Sequence, residues 1–257
     1  MEPKLKDIAL QMQEFEASAS VKRTGPGERT EGNQFESLVM NFWTIFADTL
    51  TGEKHIVTNG TQRWLRVQTG NKSVYLPTKI TTGYPPSNLG VRWLNSKYYV
   101  TDLVKAYPGE DHVVDLYAPQ IGPYQSHSYP QMYSDLTTNF DDVIVLEEAG
   151  VLKEKILLEY KTAKSSTGQR VDGNAHERLS FQMMQYLEVA TRYPKCSMYV
   201  FTNGAFVKYK NKYHVSFHVQ TERLSAYSWF EMVYMSEVAE YQILVTKLQK
   251  FLLGEND

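Results

Sequence analysis

Apolar residues recur every three or four positions in three segments, and this spacing predicts amphipathic helices. The segments are residues 3–20, 33–50 and 174–192. Their apolar stripes comprise Leu5, Ile8, Met12 and Phe15 in the first segment, Phe35, Val39, Phe42 and Phe46 in the second, and Leu179, Met183, Leu187 and Ala190 in the third. Residues 227–253 carry a less regular pattern that predicts a terminal helix or a helix pair.

Short apolar runs bounded by turn residues predict β-strands between these helices. Residues 55–125 are β-rich and irregular, and a strand pair at residues 139–148 and 151–161 turns near Gly150. A further apolar run follows the third helix at residues 197–202, and such a strand, helix, strand order predicts parallel pairing. Residues 206–219 predict a hairpin with its turn at Asn211.

These elements together predict an α/β (α+β) fold with a mixed central β-sheet flanked by helices. We expect a single catalytic domain over residues 1–257, a length that supports one large core. Within it, residues 1–30 form an N-terminal helix and a basic loop. Residues 31–205 form the core with a β-rich insertion at about 55–125, and residues 206–257 form the hairpin and the C-terminal helix.

Charged residues occupy defined positions on the strand pair at residues 139–161. Asp141 and Asp142 open the first strand, and the second strand ends with Glu159, Tyr160 and Lys161. Successive strand residues point to opposite faces, so Glu159 and Lys161 share one face of the sheet. Charges at the end of a buried strand need partners, and a divalent cation or a phosphate would provide them.

This arrangement resembles the PD-(D/E)xK nuclease superfamily, and within it the restriction endonucleases. An acidic residue opens one strand, and an acid-x-lysine tripeptide lies on the next; Asp141 and Glu159 are separated by 18 positions here. Phe140 replaces the proline of the family name. The resemblance covers residues 31–205 and implies a restriction-endonuclease-like core.

The resemblance also implies a catalytic set of Asp141, Glu159 and Lys161. Asp141, Glu159 and the backbone carbonyl of Tyr160 would bind Mg²⁺, while Lys161 would lie beside the nucleophilic water. Glu36, on the helix that precedes the strands, is similar to a glutamate that reaches the metal in some members. An acid near a helix start is also favoured by the helix dipole alone, so both explanations stay open.

Other positions have supporting or competing roles. Asp142 is the rival of Asp141 as first ligand, because adjacent strand residues face opposite ways and only one can face the metal. Gln182 resembles a polar residue that family members direct toward the site, although an exposed helix position explains it equally well. Candidates for holding the DNA backbone are Lys164 and Arg170 in the polar loop after the second strand, and Lys22 and Arg23 in the loop at residues 21–32.

Composition narrows the context without choosing a function. The net charge of −2 neither supports nor excludes DNA binding, because binding follows local potential. The single cysteine excludes an intrachain disulfide, and no apolar run reaches the roughly 20 residues that span a bilayer. We therefore expect a cytoplasmic protein without membrane association. Motifs for phosphate-loop, dinucleotide, zinc-peptidase and serine-hydrolase chemistry are absent from the sequence.

The resulting expectation is an Mg²⁺-dependent endonuclease that hydrolyses double-stranded DNA, most simply a type II restriction enzyme. A homodimer would match the two-fold symmetry of a palindromic site, and the resemblance implies a companion DNA methyltransferase in the cell. Three alternatives remain: a repair or junction-resolving nuclease of the same superfamily, a catalytically inactive DNA-binding module, and a small-molecule-binding α/β protein whose acid-x-lysine is a surface ion pair.

Overall fold

The computed structural model of the chain describes residues 2–19, 28–87, 93–94, 96–99, 137–162, 173–192, 196–203, 206, 210–223 and 229–255. Its helices are α1 (Glu2–Ala19), α2 (Glu28–Thr49), α3 (Gly173–Arg192), α4 (Lys210–Arg223) and α5 (Val238–Leu253). Its strands are β1 (Glu53–Asn59), β2 (Gln62–Thr69), β3 (Lys72–Pro77), β4 (Lys97–Tyr99), β5 (Thr137–Asn139), β6 (Asp142–Glu148), β7 (Val151–Lys161), β8 (Cys196–Thr202) and β9 (Trp229–Tyr234). No helix in the described ranges has the length and apolar character needed to cross a membrane.

Seven strands form one mixed sheet in the order β1-β2-β3-β6-β7-β8-β9, and β4 pairs with β5 separately. The pairs from β1 to β7 are antiparallel, whereas β8 runs parallel to both β7 and β9. The helix α3 makes the crossover from β7 to β8, as the strand, helix, strand order predicts. The predicted mixed sheet with flanking helices is therefore confirmed.

A tight turn joins β6 to β7 and fixes their register. Ala149 and Gly150 both have positive φ, 52° and 78°, as a two-residue hairpin turn of the primed type requires. From this turn the pairing runs to Asp142 opposite Leu158, with a register shift after Leu146. The charged end of β7 thus lies beside the start of β6, at the end of the hairpin remote from the turn.

Apolar layers on the two faces of the sheet form separate cores. Helices α1, α2 and α5 cover one face, where the buried residues include Leu5, Phe42 and Tyr241. Helices α3 and α4 cover the other face, where the buried residues include Tyr186 and Phe217. In β7, Ile156 and Leu158 belong to the first core and Leu157 to the second. The alternation along β7 therefore assigns each residue at its charged end to a face.

The hairpin predicted at residues 206–219 is wrong, because helix α4 begins at Lys210 where the turn was expected. Tyr213, Val215 and Phe217 alternate as a half-buried strand would, but Tyr213 and Phe217 are also one helical turn apart. Val215 distinguishes the two patterns, since it is 62% exposed while Tyr213 and Phe217 are buried against the second core. A helix puts Val215 on the opposite side from its two neighbours.

The helix or helix pair predicted at residues 227–253 is also only partly right. The segment begins with the edge strand β9, and helix α5 starts at Val238. Phe230 and Met232 of β9 enter the second core, whereas Val233 enters the first. Parallel pairing with β8 decides in favour of a strand, and that partner is about thirty residues earlier in the chain. Part of the β-rich insertion predicted at about 55–125 lies outside the described residues.

Candidate functional site

The hairpin of β6 and β7 brings the three predicted catalytic residues to one face of the sheet. The strand register pairs Asp142 with Leu158, and its continuation sets Asp141 opposite Glu159. Glu159 and Lys161 lie two and four residues after Leu157 on β7, so all three side chains point to the face that α3 and α4 cover. The Lys161 ammonium nitrogen lies 2.5 Å from Oε2 of Glu159. Asp141, Glu159 and Lys161 therefore form a compact charged cluster, here called the hairpin-end cluster.

Glu159 is the buried member of the hairpin-end cluster. Its side chain is 2% exposed, and burial raises the pKa of Glu159 to about 8, with the nearby Asp141 carboxylate adding to the rise and Lys161 opposing it. Oε2 of Glu159 is shielded from solvent and receives no hydrogen bond of good geometry from the described residues. Its compensation is the ionic contact with Lys161, which is 25% exposed. The Asp141 carboxylate is close enough to disfavour a negative charge on Glu159, and two such neighbouring acids favour an additional cation.

Asp141 is held at the mouth of this cluster by the backbone of β7. Its Oδ2 accepts a hydrogen bond of 2.8 Å from the backbone N–H of Tyr160. The carboxylate is therefore oriented by the strand that carries Glu159, while Asp141 itself is exposed. The backbone of Tyr160, predicted to offer a carbonyl ligand, belongs to the same strand end as the two carboxylates.

Asp142 lies on the opposite face, in a different hydrogen-bond network. The Tyr160 hydroxyl donates to Oδ2 of Asp142 at 2.8 Å, and Nε1 of Trp43 donates to the Tyr160 hydroxyl at 3.0 Å. Burial raises the pKa of Asp142 to about 7, against the lowering effect of the Tyr160 hydrogen bond. This network links α2 to both strands. Asp142 therefore has a structural environment that differs from that of Asp141.

Glu36 lies on the side of Asp142 and not among the residues of the hairpin-end cluster. Its carboxylate forms an exposed ion pair with Lys79 at 3.4 Å, and its charge contributes to the raised pKa of Asp142. Helix α2 begins at Glu28, so Glu36 is in its third turn and not in its first. The explanation by the helix dipole, which acts over the first turn, therefore fails for Glu36.

Gln182 is buried and connects α3 to the segment that leads into the hairpin-end cluster. Its Nε2 donates to the backbone carbonyl of Asn139 at 3.0 Å, and the residue is 8% exposed. The alternative of an exposed helix position is thus wrong for Gln182. The hydrogen bond ends two residues before Asp141, so Gln182 fixes the backbone that presents Asp141.

Four predicted DNA-backbone contacts fall outside the part of the chain that the structure describes. They are Lys22 and Arg23 in the loop before α2, and Lys164 and Arg170 in the loop after β7.

The hairpin-end cluster fits a hard divalent cation with two protein carboxylates. Across the described ranges no group of three or more His, Cys, Asp or Glu side chains converges as a complete metal-binding set. Mg²⁺ retains several waters and is typically held by one or two carboxylates together with substrate phosphate. Asp141 and Glu159, with the Tyr160 carbonyl on the same strand end, meet that requirement, and the shielded Oε2 of Glu159 is the atom with most to gain from a cation.

The sequence reasoning missed a second cluster, on α4 at the edge of the sheet. His214 and His218 are one helical turn apart and lie beside Glu231 and Trp229 of β9. The spacing is visible in the sequence, but the hairpin predicted there separates the two side chains by more than a helical turn does. His214 and His218 are therefore adjacent in space.

Comparison of this chain with protein-family models, with curated proteins and with solved structures finds no match.

Proposed function

We propose that this protein is an Mg²⁺-dependent endonuclease that hydrolyses phosphodiester bonds in double-stranded DNA, acting as a type II restriction enzyme. The observation that carries the proposal is the hairpin-end cluster, with Asp141, Glu159 and Lys161 on one face of adjacent strands. The contact of 2.5 Å between Lys161 and Glu159, and the burial of Glu159, distinguish this set from a solvated surface ion pair.

The residues of the cluster have separate tasks in this mechanism. Asp141 and Glu159 would hold Mg²⁺, which when bound supplies Lewis-acid polarisation of the phosphate. Lys161 orients the attacking water and stabilises negative charge that develops on the phosphate. Gln182 fixes the backbone before Asp141 through Asn139. The Tyr160 amide fixes the Asp141 carboxylate, so the two acids keep their separation during the reaction.

The restriction-endonuclease-like core is part of the same proposal. Its support is a mixed sheet in which an antiparallel acidic hairpin is followed by a helical crossover to a parallel strand. Recognition of a palindrome would then require a homodimer with two such sites, one for each DNA strand. A companion DNA methyltransferase would protect the host DNA.

The test is digestion of unmodified phage DNA by the purified protein, with Mg²⁺ and with a chelator. We expect discrete fragments that require Mg²⁺, and a loss of at least 100-fold in rate, roughly, for Asp141→Asn, Glu159→Gln and Lys161→Ala. The matched controls are Glu148→Gln and Lys153→Ala, which break an ion pair of 2.8 Å at the turn end of the same hairpin. These controls should cut at the rate of the unsubstituted protein.

Other outcomes lead to the alternatives. A metal-dependent smear would favour a repair-type nuclease. Intact DNA in Mg²⁺ and Mn²⁺, together with DNA binding in Ca²⁺, would favour an inactive DNA-binding module. Intact DNA and no binding at any salt concentration would contradict the whole proposal.

A further inference from the structure

The surface where α4 meets β9 holds two imidazoles in contact with each other. Nε2 of His214 and Nε2 of His218 are 3.4 Å apart, and their ring centroids are 4.4 Å apart with an interplanar angle of 61°. Both side chains are partly buried. The two nitrogens are therefore within hydrogen-bond distance of each other, and which of them donates depends on the tautomer.

Neighbouring residues hold this pair in place. His218 packs edge-on against the buried ring of Phe217 at 5.6 Å, and the Trp229 ring contacts His214 at 5.6 Å and His218 at 5.1 Å. Oε2 of Glu231 lies 3.5 Å from Nε2 of His214. Helix α4 is itself anchored, because Tyr213 and Phe217 are buried in the core shared with Phe230. The rings are thus preorganised by packing and lie next to a negative charge.

The separation of the two nitrogens matches that of two ligands on one transition-metal ion. With Zn–N bonds of about 2.0–2.1 Å and tetrahedral angles, two ligand nitrogens are about 3.3 Å apart. The observed separation of 3.4 Å between the two nitrogens is close to this value. Imidazole nitrogen suits Zn²⁺, Cu²⁺ and Ni²⁺, whereas Mg²⁺ prefers oxygen ligands.

We propose that His214 and His218 form a two-nitrogen chelate for a divalent transition-metal ion of the Zn²⁺, Cu²⁺ or Ni²⁺ class, with the Glu231 carboxylate providing negative charge beside it. This site is separate from the hairpin-end cluster in residues and in ligand chemistry. Its metal would lie on helix α4 beside Trp229 and Glu231 of the edge strand β9. The two imidazoles carry the chelate, and the Glu231 carboxylate lies beside His214.

The first experiment is equilibrium dialysis of the untagged full-length protein against Zn²⁺ alone and against Cu²⁺ alone. We expect one equivalent to bind to the wild-type protein and the affinity to fall by at least about tenfold in both His214→Gln and His218→Gln. Glu231→Gln should weaken binding less than either histidine substitution. Trp229 fluorescence should decrease on addition of Cu²⁺, and Trp229→Phe should remove that change while leaving the dialysis result intact.

The matched control is His55→Gln, because His55 is another partly buried histidine beside a glutamate, 3.7 Å from Glu53. This variant should keep the bound equivalent. Asp141→Asn should keep it too, which separates this site from the hairpin-end cluster whether or not the protein is a nuclease. Circular dichroism establishes that each variant is folded. The His214 side chain is 31% exposed, so His214→Gln disturbs the packing of α4 little.

Three results would overturn the proposal. They are no binding of Zn²⁺ or Cu²⁺ by the wild-type protein, unchanged affinity in the two folded histidine variants, or loss of the bound equivalent in His55→Gln or Asp141→Asn. The histidine pair would then be only a packing feature that covers the edge of β9.

Discussion

Tyr160 joins the two faces of the sheet at the end of β7. Its backbone N–H holds the Asp141 carboxylate on one face, and its hydroxyl donates to Asp142 on the other. The hydroxyl also accepts from Trp43 of α2. Asp141 and Asp142 are adjacent in sequence but serve different networks, because the strand sends consecutive side chains to opposite sides.

The first prediction concerns Tyr160→Phe. The substitution removes two hydrogen bonds within a buried network, so we expect the free energy of unfolding to fall by about 1–3 kcal/mol. Urea unfolding followed by tryptophan fluorescence measures this change. Tyr84→Phe is the control, because the Tyr84 hydroxyl makes an exposed contact of 3.3 Å with Asp48, and its loss should cost about 0.5 kcal/mol or less.

Under the proposed function, Tyr160→Phe should keep its DNA cleavage, because the backbone contact to Asp141 remains. Lost cleavage with unchanged stability would instead assign the Tyr160 hydroxyl and Asp142 to the reacting site.

Lys155 is a buried cation on β7, four residues before Glu159. It is 6% exposed, and burial lowers the pKa of Lys155 to about 7, against a smaller opposing effect of Cys196. Between pH 7 and the ordinary lysine pKa of about 10.4, the unfolded chain binds more protons at this residue than the folded chain. The free energy of unfolding therefore rises with pH across that window, and below pH 7 the cost of burying the charge is fully present.

The second prediction is that Lys155→Met stabilises the protein most at pH 7 or below, by roughly 2–4 kcal/mol, with the gain shrinking toward pH 10. Urea unfolding at several pH values measures the difference. Lys153→Met, at an exposed position two residues earlier, should give a difference that does not vary over the same pH range. A gain from Lys155→Met that stays constant from pH 6 to pH 10 would contradict the lowered pKa.

At the scale of elements, helix α2 packs against both β8 and α5 in the first core. The ring of Phe42 contacts Trp43 and Phe46 on its own helix, Phe201 of β8 and Tyr241 of α5, with centroid distances of 4.9 to 5.9 Å. The same helix carries Trp43, whose Nε1 donates a hydrogen bond to the Tyr160 hydroxyl. Packing of α2 therefore supports both the sheet and the network behind the hairpin-end cluster.

The third prediction is that Phe42→Ala lowers the free energy of unfolding by about 3–5 kcal/mol, because it leaves a cavity among aromatic rings. Leu10→Ala on α1 is the control, since Leu10 is 54% exposed and its truncation should cost about 0.5 kcal/mol or less. Equal costs for the two variants in chemical denaturation would show that α2 is not packed at this position as described.

At the scale of the whole molecule, the sheet is the central layer between two helical layers, and the hairpin-end cluster lies where β6 begins and β7 ends. The negative charge of Asp141 beside the buried Glu159 disfavours the folded state without a cation, because it opposes the ionisation of Glu159. Under the proposed function, catalysis and stability are therefore opposed at this position.

The fourth prediction is that Mg²⁺ stabilises the folded protein and that Glu159→Gln removes this effect. At ten times the dissociation constant, one bound ion adds about 1.4 kcal/mol to the free energy of unfolding. Glu159→Gln should be more stable than the wild type without metal, because it replaces a buried carboxylate by an uncharged amide. Thermal unfolding with Mg²⁺ and with chelator measures both effects, and Glu148→Gln should behave as the wild type.

Much of the fold was predictable because local patterns determine it. Helical spacing predicted α1, α2 and α3, and short apolar runs with a turn at Gly150 predicted β6 and β7. Strand alternation was enough to put Glu159 and Lys161 on one face. These features depend on residues close in sequence, whose faces follow from backbone periodicity alone.

Only the tertiary structure decided the features that depend on distant partners. Residues 213–217 fit a strand and a helix equally well until their burial against Phe230 selected the helix. The hydrogen bond from Trp43 to Tyr160 joins residues 117 positions apart in sequence. Because the Tyr160 hydroxyl in turn donates to Asp142, this network gives Asp142 an environment unlike that of Asp141. The ion pair of Glu36 with Lys79, the burial of Gln182 and the meeting of His214 with Glu231 likewise arise when elements dock. Sequence periodicity gives the direction of a side chain, whereas its partner is chosen by long-range packing.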